Sequence, residues 1–358
     1  MKIVYLSDSK IPSDGADSVH AISMCNALAD EENEVILIAK RSNLTSEIYK
    51  YYGVQERIKI ILIKSFNIRL LGGLLYGFLV SRKIKKIYGI DIIYSRSIHS
   101  SIWTYRNGIR FIFESHCPPQ NFLYNFFQNR ILKSKNNILI ILISNGLKKI
   151  YSEIFPNSLN KSLVLHDACN IKNPKPSPKL QSQKKLDVCY IGSFNNGLGT
   201  EMIPRIALKL PNYKFHAFGK IKKGSGYSKI DNDENLKYYG SIPHGEIAEK
   251  TSHCDVFIAP YQENLPSLNW ASPMKIFEYM SFNRPIICSD FPVFREVLNE
   301  NNSILINSNN ENEWIDSIKL LSNKKIRERL ASNAYEEFKK NYTWQIRAKK
   351  VLSFINGE

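Results

Sequence analysis

The sequence has no C-x-x-C pair, no apolar run approaching the roughly 18 to 20 residues a membrane-spanning helix needs, and far fewer acids than bases. Its six cysteines (Cys25, Cys117, Cys169, Cys189, Cys254 and Cys288) are widely spaced. That spacing argues against a zinc site or a disulfide framework and fits a reducing compartment. The nearest approach to a span, Leu70 to Val80, is about half the required length, so a soluble or peripheral protein is expected. Met1 to Ser7 turns polar too soon for a signal peptide and reads as a first strand. The seven histidines show no ligand spacing. No metal and no cofactor are therefore expected.

What is present is 358 residues with a 43% hydrophobic fraction, a globular composition long enough for two domains. The formal charge of +16 (49 Lys and Arg against 33 Asp and Glu) calls for a polyanionic partner. Between Arg57 and Arg110 there are eleven basic residues against one acid, Asp91. Inside that stretch, Leu70 to Val80 adjoins Arg82, Lys83, Lys85 and Lys86. Apolar residues beside cations suit an anionic membrane surface, the alternative being an amphipathic core helix with a solvated basic end. A second aromatic and basic segment (Phe122, Tyr124, Phe126, Phe127, Arg130, Lys133 and Lys135) could line an acceptor groove, touch membrane or pack in the core. Nucleic acid is not expected, because no recognition motif accompanies the charge.

Short apolar runs alternate with helical patterns along the whole chain, which predicts an α/β fold of parallel sheets. Strands are predicted at Ile3–Leu6, Val35–Ile38, Ile58–Ile63, Ile92–Tyr94, Phe111–Phe113, Ile138–Ile143 and Leu163–Leu165. Asn170 to Lys185, proline-rich and without periodicity, reads as a linker. A second α/β series follows from Asp187. The expected organisation is a domain over 1–170, a linker over 171–186 and a second domain over 187–342, with a C-terminal helix near 343–358 packing back on the first. Two doubly wound domains would face each other across a cleft that takes ligand at the carboxyl ends of their strands.

The most informative segment is S-P-M-K-I-F-E-Y-M-S-F-N-R-P, from Ser272 to Pro285. Ser272 suits an N-cap and Pro273 the first helical position, so a helix is predicted to start there with its free N–H groups forming an anion site. Lys275 puts a cation in the first turn, a position that only a bound anion makes favourable. Glu278, three residues on, shares its face and could accept hydrogen bonds from vicinal hydroxyls. Phosphate at the helix start and ribose one turn deeper is the layout a nucleoside diphosphate needs; an ordinary Lys275–Glu278 surface pair is the plain alternative.

Residues 272–298 resemble the donor-site signature of glycosyltransferase family 4, retaining enzymes of the GT-B architecture, in which two Rossmann-like domains face across a cleft. Weaker matches fall in the family's order: the Gly15-Ala16 loop, Glu114-Ser115-His116, the Ser144 helix start, His166 to Asn170, Gly192-Ser193 and Tyr342-Thr343-Trp344. The resemblance implies that Glu278 binds ribose and that Ser272, Pro273, Met274 and Lys275 hold the diphosphate, with Gly192 and Ser193 in the donor nucleotide site. It further implies that Gly15 and Ala16 lie near the β-phosphate and acceptor, and that His116 stands by the reacting sugar. His20, Glu263 and Asn264 are candidates to contact donor sugar or acceptor. His116 and Lys275 are the expected catalytic residues. Three positions depart from the pattern: Trp270 replaces the family's first motif glutamate, and Ser193 and Leu198 replace two cations. Asp231-Asn-Asp233 has the form of a metal-binding D-x-D motif but lacks the context for one.

The implied function is metal-independent transfer of a hexose-type sugar from a nucleotide sugar to a glycan, with retention. The Lys-, Ile- and Asn-rich composition suggests a bacterial source. A lipid-linked or envelope polysaccharide intermediate is the expected acceptor, at the cytoplasmic face of the inner membrane. A sugar-nucleotide epimerase of the same architecture, or a catalytically weak glycan- or membrane-binding adaptor, are the alternatives.

Overall fold

The computed structural model describes residues 1–44, 47–65, 68, 71–171, 185–222 and 234–357. Leu70, Arg69, most of the expected linker and the D-x-D motif (Asp231 to Asp233) lie outside them. The chain divides into two compact units. The first comprises Met1–Asp167, Trp270–Ser272 and Trp344–Glu358; the second comprises Ala168–Asn269 and Pro273–Thr343.

In the first unit the strands are β1 (Lys2–Ile11), β2 (Glu34–Arg41), β3 (Lys59–Ile63), β4 (Ile92–Ser95), β5 (Arg110–Ser115), β6 (Asn137–Leu142) and β7 (Ser162–Val164). Between them run α1 (Ala16–Asp30), α2 (Ile48–Tyr52), α3 (Gly72–Ile84), α4 (Ile98–Thr104), α5 (Phe122–Leu132) and α6 (Asn145–Ile154). The sheet order is β3-β2-β1-β4-β5-β6-β7, every pair parallel. Helices on both faces bury the strands from two sides, which is why β2 reads as an unbroken apolar run, Val35 to Ala39, rather than as an alternation.

The second unit carries β8 (Asp187–Ile191), β9 (Lys214–Phe218), β10 (Leu236–Gly240), β11 (Val256–Ala259), β12 (Ile286–Ser289) and β13 (Ile304–Ile306). Its helices are α7 (Met202–Lys209), α8 (Ile247–Lys250), α9 (Met274–Ser281), α10 (Glu311–Leu320) and α11 (Lys324–Asn341). The strand order, β10-β9-β8-β11-β12-β13, is again wholly parallel. The last helix, α12 (Trp344–Asn356), belongs to the first unit and packs on α1. Enclosed by the sheet and α12, α1 is buried without a break from Ser18 to Leu28. Each unit is thus a doubly wound, Rossmann-like sheet with helices on both faces.

Both sheets reverse direction at one place, between β1 and β4 in the first unit and between β8 and β11 in the second. Loops leaving two adjacent strands diverge there, opening a crevice at the carboxyl edge. In the second unit Gly192 follows β8 and Gly219 follows β9, with φ of 152° and 147°. They touch backbone to backbone: a Cβ on Gly219 would lie 1.7 Å from the Gly192 carbonyl oxygen. Gly219→Ala must therefore push a strand end aside and should cost about 2 kcal/mol or more in urea unfolding. Gly108→Ala is the control. Its φ is 77° and nothing lies within 4 Å of the new methyl, so its expected cost is the backbone strain of about 1 kcal/mol.

Candidate functional site

In the first unit, charged side chains gather where β4, β5 and β7 end. Glu114, the penultimate residue of β5, has a side chain with no solvent exposure. One oxygen lies 2.5 Å from His116 Nε2 and 3.1 Å from His20 Nε2. The other accepts from Tyr94 and, at 3.1 Å, from Arg347 of α12. His20 turns its Nδ1 to Asp167 Oδ1 at 2.8 Å. Arg96 completes the group, with Nη2 3.2 Å from His116 Nδ1 and Nη1 donating to the Asp17 carbonyl at 3.0 Å.

Burial opposes ionisation of Glu114, but Arg347 and His20 outweigh it and hold the carboxyl well below its usual range. Asp167, also buried, is brought down to about 2 by neighbouring His20, with help from His116 and Arg347. Burial, reinforced by the charge of Arg96, holds His116 down to about 4 against the pull of Glu114. The ring is therefore neutral at pH 7, and both its nitrogens are engaged. His20, His116 and Asp167 could each present one ligand atom within 4.8 Å of the others. Two guanidiniums already stand in that group, so its charge is balanced as an ion-pair network and a cation would meet Arg96 directly.

In the second unit α9 is anchored by Tyr279, whose hydroxyl accepts from Ile191 N at 2.9 Å and reaches the carbonyls of Ile191 and Ile258 at 3.2 and 3.3 Å. The helix start is thereby fixed against the ends of β8 and β11. Lys275, half-buried in the first turn, sits 4.2 Å from the ring centre of Tyr190 and 4.9 Å from that of Tyr261. It donates at 3.1 Å to the Tyr190 hydroxyl, which donates in turn to the Ser193 carbonyl at 2.9 Å. Among the described residues no carboxylate forms an ion pair with it. Burial brings its pKa down to about 7, against the pull of Cys288 and Glu278. Gly192 borders the ammonium so closely that a Cβ there would lie 2.7 Å from Nζ. Glu278, 7% exposed, gives one carboxylate oxygen to His244 Nε2 at 2.5 Å.

The structure thus gathers Lys275, Gly192 and Ser193 at the β8–β11 reversal, with Glu278 one turn along α9. Pro273 and Met274 open that helix. Ser272 does not cap it, correcting the expectation from sequence. Pro273 occupies the N-cap position without a side-chain bond, and Ser272 accepts from Asp167 N at 2.9 Å within the first unit. Trp270 also belongs to the first unit. It packs on that unit's apolar cluster, and its carbonyl accepts from Ser144 at 2.8 Å. Gly15 is the N-cap of α1 and Ala16 its exposed first residue. Glu263 and Asn264 stand exposed in the turn after β11. Sequence reasoning missed Tyr190 and Tyr261 as the flanks of Lys275 and His244 as the partner of Glu278.

Residues 200–353 match a family model described as glycosyl transferase-like. A comparison with curated protein sequences gives no match. Among solved structures, a glycosyltransferase from Rickettsia africae is similar at 15% identity and a TM-score of 0.77, covering 99% of this chain and 98% of that one. Sucrose-phosphate synthase from Thermosynechococcus elongatus is similar at 14% identity and 0.75, covering 100% and 98%. Anabaena HepE, solved with UDP-glucose, is similar at 14% identity and 0.73, covering 99% of each chain. The chain therefore has the GT-B fold and resembles the GT-B glycosyltransferases of the group 1 type.

The depressed pKa values set the sign of the acid response. A group depressed in the folded protein contributes stability that is present above its unfolded value and is lost as pH falls through the folded one. For His116 that window runs from about 6.5 down to about 4. For Asp167 it continues to about 2. Urea unfolding should show stability falling steadily below pH 6.5, and His116→Gln should remove about one proton of uptake from the upper part of that slope.

Proposed function

We propose that this protein is a retaining glycosyltransferase that moves a hexose-type sugar from a nucleoside-diphosphate sugar to a hydroxyl of a glycan acceptor. The observation that carries the reading is Lys275: a half-buried ammonium in the first turn of a helix, walled by two tyrosines, with no carboxylate partner among the described residues. A cation at a helix N-terminus is unfavourable by itself, and a diphosphate reverses the sign of that interaction. Lys275 uses one donor on Tyr190 and leaves the rest without an acceptor among the described residues, directed beside Gly192. Gly192 suits such a site because a side chain there would occupy the ammonium's own space.

In the reaction, the bond from the anomeric carbon to the diphosphate oxygen breaks. A bond from the same carbon to the acceptor oxygen forms on the same face, and the acceptor proton leaves with the departing diphosphate. Negative charge grows on that diphosphate, and the helix start with Lys275 is the group that stabilises it, without a metal. Glu278, oriented by His244, accepts from the ribose hydroxyls. His116, neutral and fixed between Glu114 and Arg96, orients the sugar and does not serve as a free base. Ser272, Met274 and Ser193 contribute backbone to the donor site; His20, Gly15, Ala16, Glu263 and Asn264 lie on the sugar and acceptor side of the proposal. The acceptor is a lipid-linked or envelope glycan of a bacterium, a reading supported by the basic composition of the first unit.

A panel of nucleoside diphosphates tested by thermal shift should contain one that stabilises the protein by about 2.7 kcal/mol at one hundred times its Kd. Glu278→Ala should remove most of that shift. Because the anion favours the ammonium form of Lys275, the Kd should rise by up to about tenfold per pH unit above pH 7. Lys275→Met should bind weakly and without that pH dependence. Stabilisation by no member of the panel would overturn the reading.

A further inference from the structure

We propose that the outer face formed by α3, α4 and α5 of the first unit is a docking surface for an anionic lipid bilayer. This surface is separate from the donor site and stands whether or not the glycosyltransferase reading holds. Its centre is apolar and exposed: Phe122 is 82% exposed, Leu123 64%, Phe126 45%, Trp103 43% and Phe78 38%. The three helices adjoin, α4 packing against both α3 and α5. Phe78 meets Trp103 edge to face at 5.4 Å, and Trp103 donates at 3.1 Å to the Leu74 carbonyl, fastening α4 to α3. Arg130 lies 4.7 Å over the ring of Phe126, and with Arg106 and Lys133 it lines a cavity that joins the end of α4 to α5.

The start of α5 is held in place by Asn121, whose side chain accepts from Tyr124 N at 3.0 Å. Phe122 and Leu123 are thus presented to solvent on a capped helix. A soluble face rarely leaves large residues so bare without a partner.

Charge chooses the occupant. The three helices contain no acidic residue, whereas Arg82, Lys83, Arg106, Arg130 and Lys133, on them or just past their ends, are all exposed. Aromatic and aliphatic groups entering the acyl boundary, with cations at the level of the lipid phosphates, satisfy both parts of the surface at once. A second copy of this face would bring cation against cation with no carboxylate between them. A nucleic-acid groove would leave Phe122 and Leu123 in water or against phosphate.

The test is co-sedimentation of the whole protein with phosphatidylcholine vesicles, with and without about 30% phosphatidylglycerol. Two variants accompany it: Phe122→Ser/Leu123→Ser/Phe126→Ser and Arg106→Gln/Arg130→Gln/Lys133→Gln. All six positions are on the surface, so each variant should keep the wild-type unfolding temperature. The wild type should bind the anionic vesicles and not the neutral ones, more weakly at high salt. Each variant should lower the partition by about tenfold or more. The proposal is overturned if the wild type does not bind, if the serine variant binds as the wild type does, or if the protein self-associates through this face and the serine variant abolishes that association.

Discussion

A parallel sheet delivers every loop that follows a strand to the same edge, and where its strand order reverses, two neighbouring loops part company. That constraint builds the crevice beside Lys275 in the second unit. In the second unit the reversal falls between β8 and β11. Tyr190 and Gly192 leave one strand there, Tyr261 leaves the other, and α9 is tied across both ends by the Tyr279 hydroxyl. The cation in the first turn of α9 has nowhere to go but the crevice. Burial lowers its pKa to about 7, so it stands ready to gain a proton when an anion arrives. The two glycines that close the strand ends keep that space open by having no side chains.

In the first unit the organising group has the opposite charge. Glu114 is a carboxylate closed off from the surface, balanced by Arg347 and ordered by Tyr94, His20 and His116. Removing one partner from such a group strands a buried charge, at a cost of about 3 to 5 kcal/mol. Arg347 comes from the C-terminal helix and also donates to the His166 carbonyl at 2.9 Å. The last helix is therefore joined to the first unit by charge as well as by its packing on α1. The same network fixes the protonation and the orientation of His116 together.

Much of the fold was legible in the sequence because parallel strands covered on both faces are plain apolar runs; β2, β5 and β6 stand close to where they are read. The helix that starts after Pro273 was legible too, since proline at a helix start is a local signal. What escaped was non-local. Tyr190 and Tyr261 lie far from Lys275 along the chain, and nothing in their own surroundings marks them. His244 lies on a short 3-10 turn (His244–Glu246), with no sequence signal that it will meet Glu278. Ser272 has the residue type of a cap but is diverted by the backbone N–H of Asp167, a tertiary demand that overrides local preference. Trp270 looked like a lost ligand; packing on the first unit's core gives the large side chain a physical reason to be there.

The central claim is that Lys275 is an ammonium awaiting a diphosphate, and its own titration tests that most directly. The Nζ resonance of Lys275, assigned by comparison with Lys275→Met, should titrate near pH 7 in the free protein. With a saturating nucleoside diphosphate, its pKa should rise by about one unit or more. A free value close to that of an ordinary lysine, or one unmoved by bound nucleotide, would contradict the account.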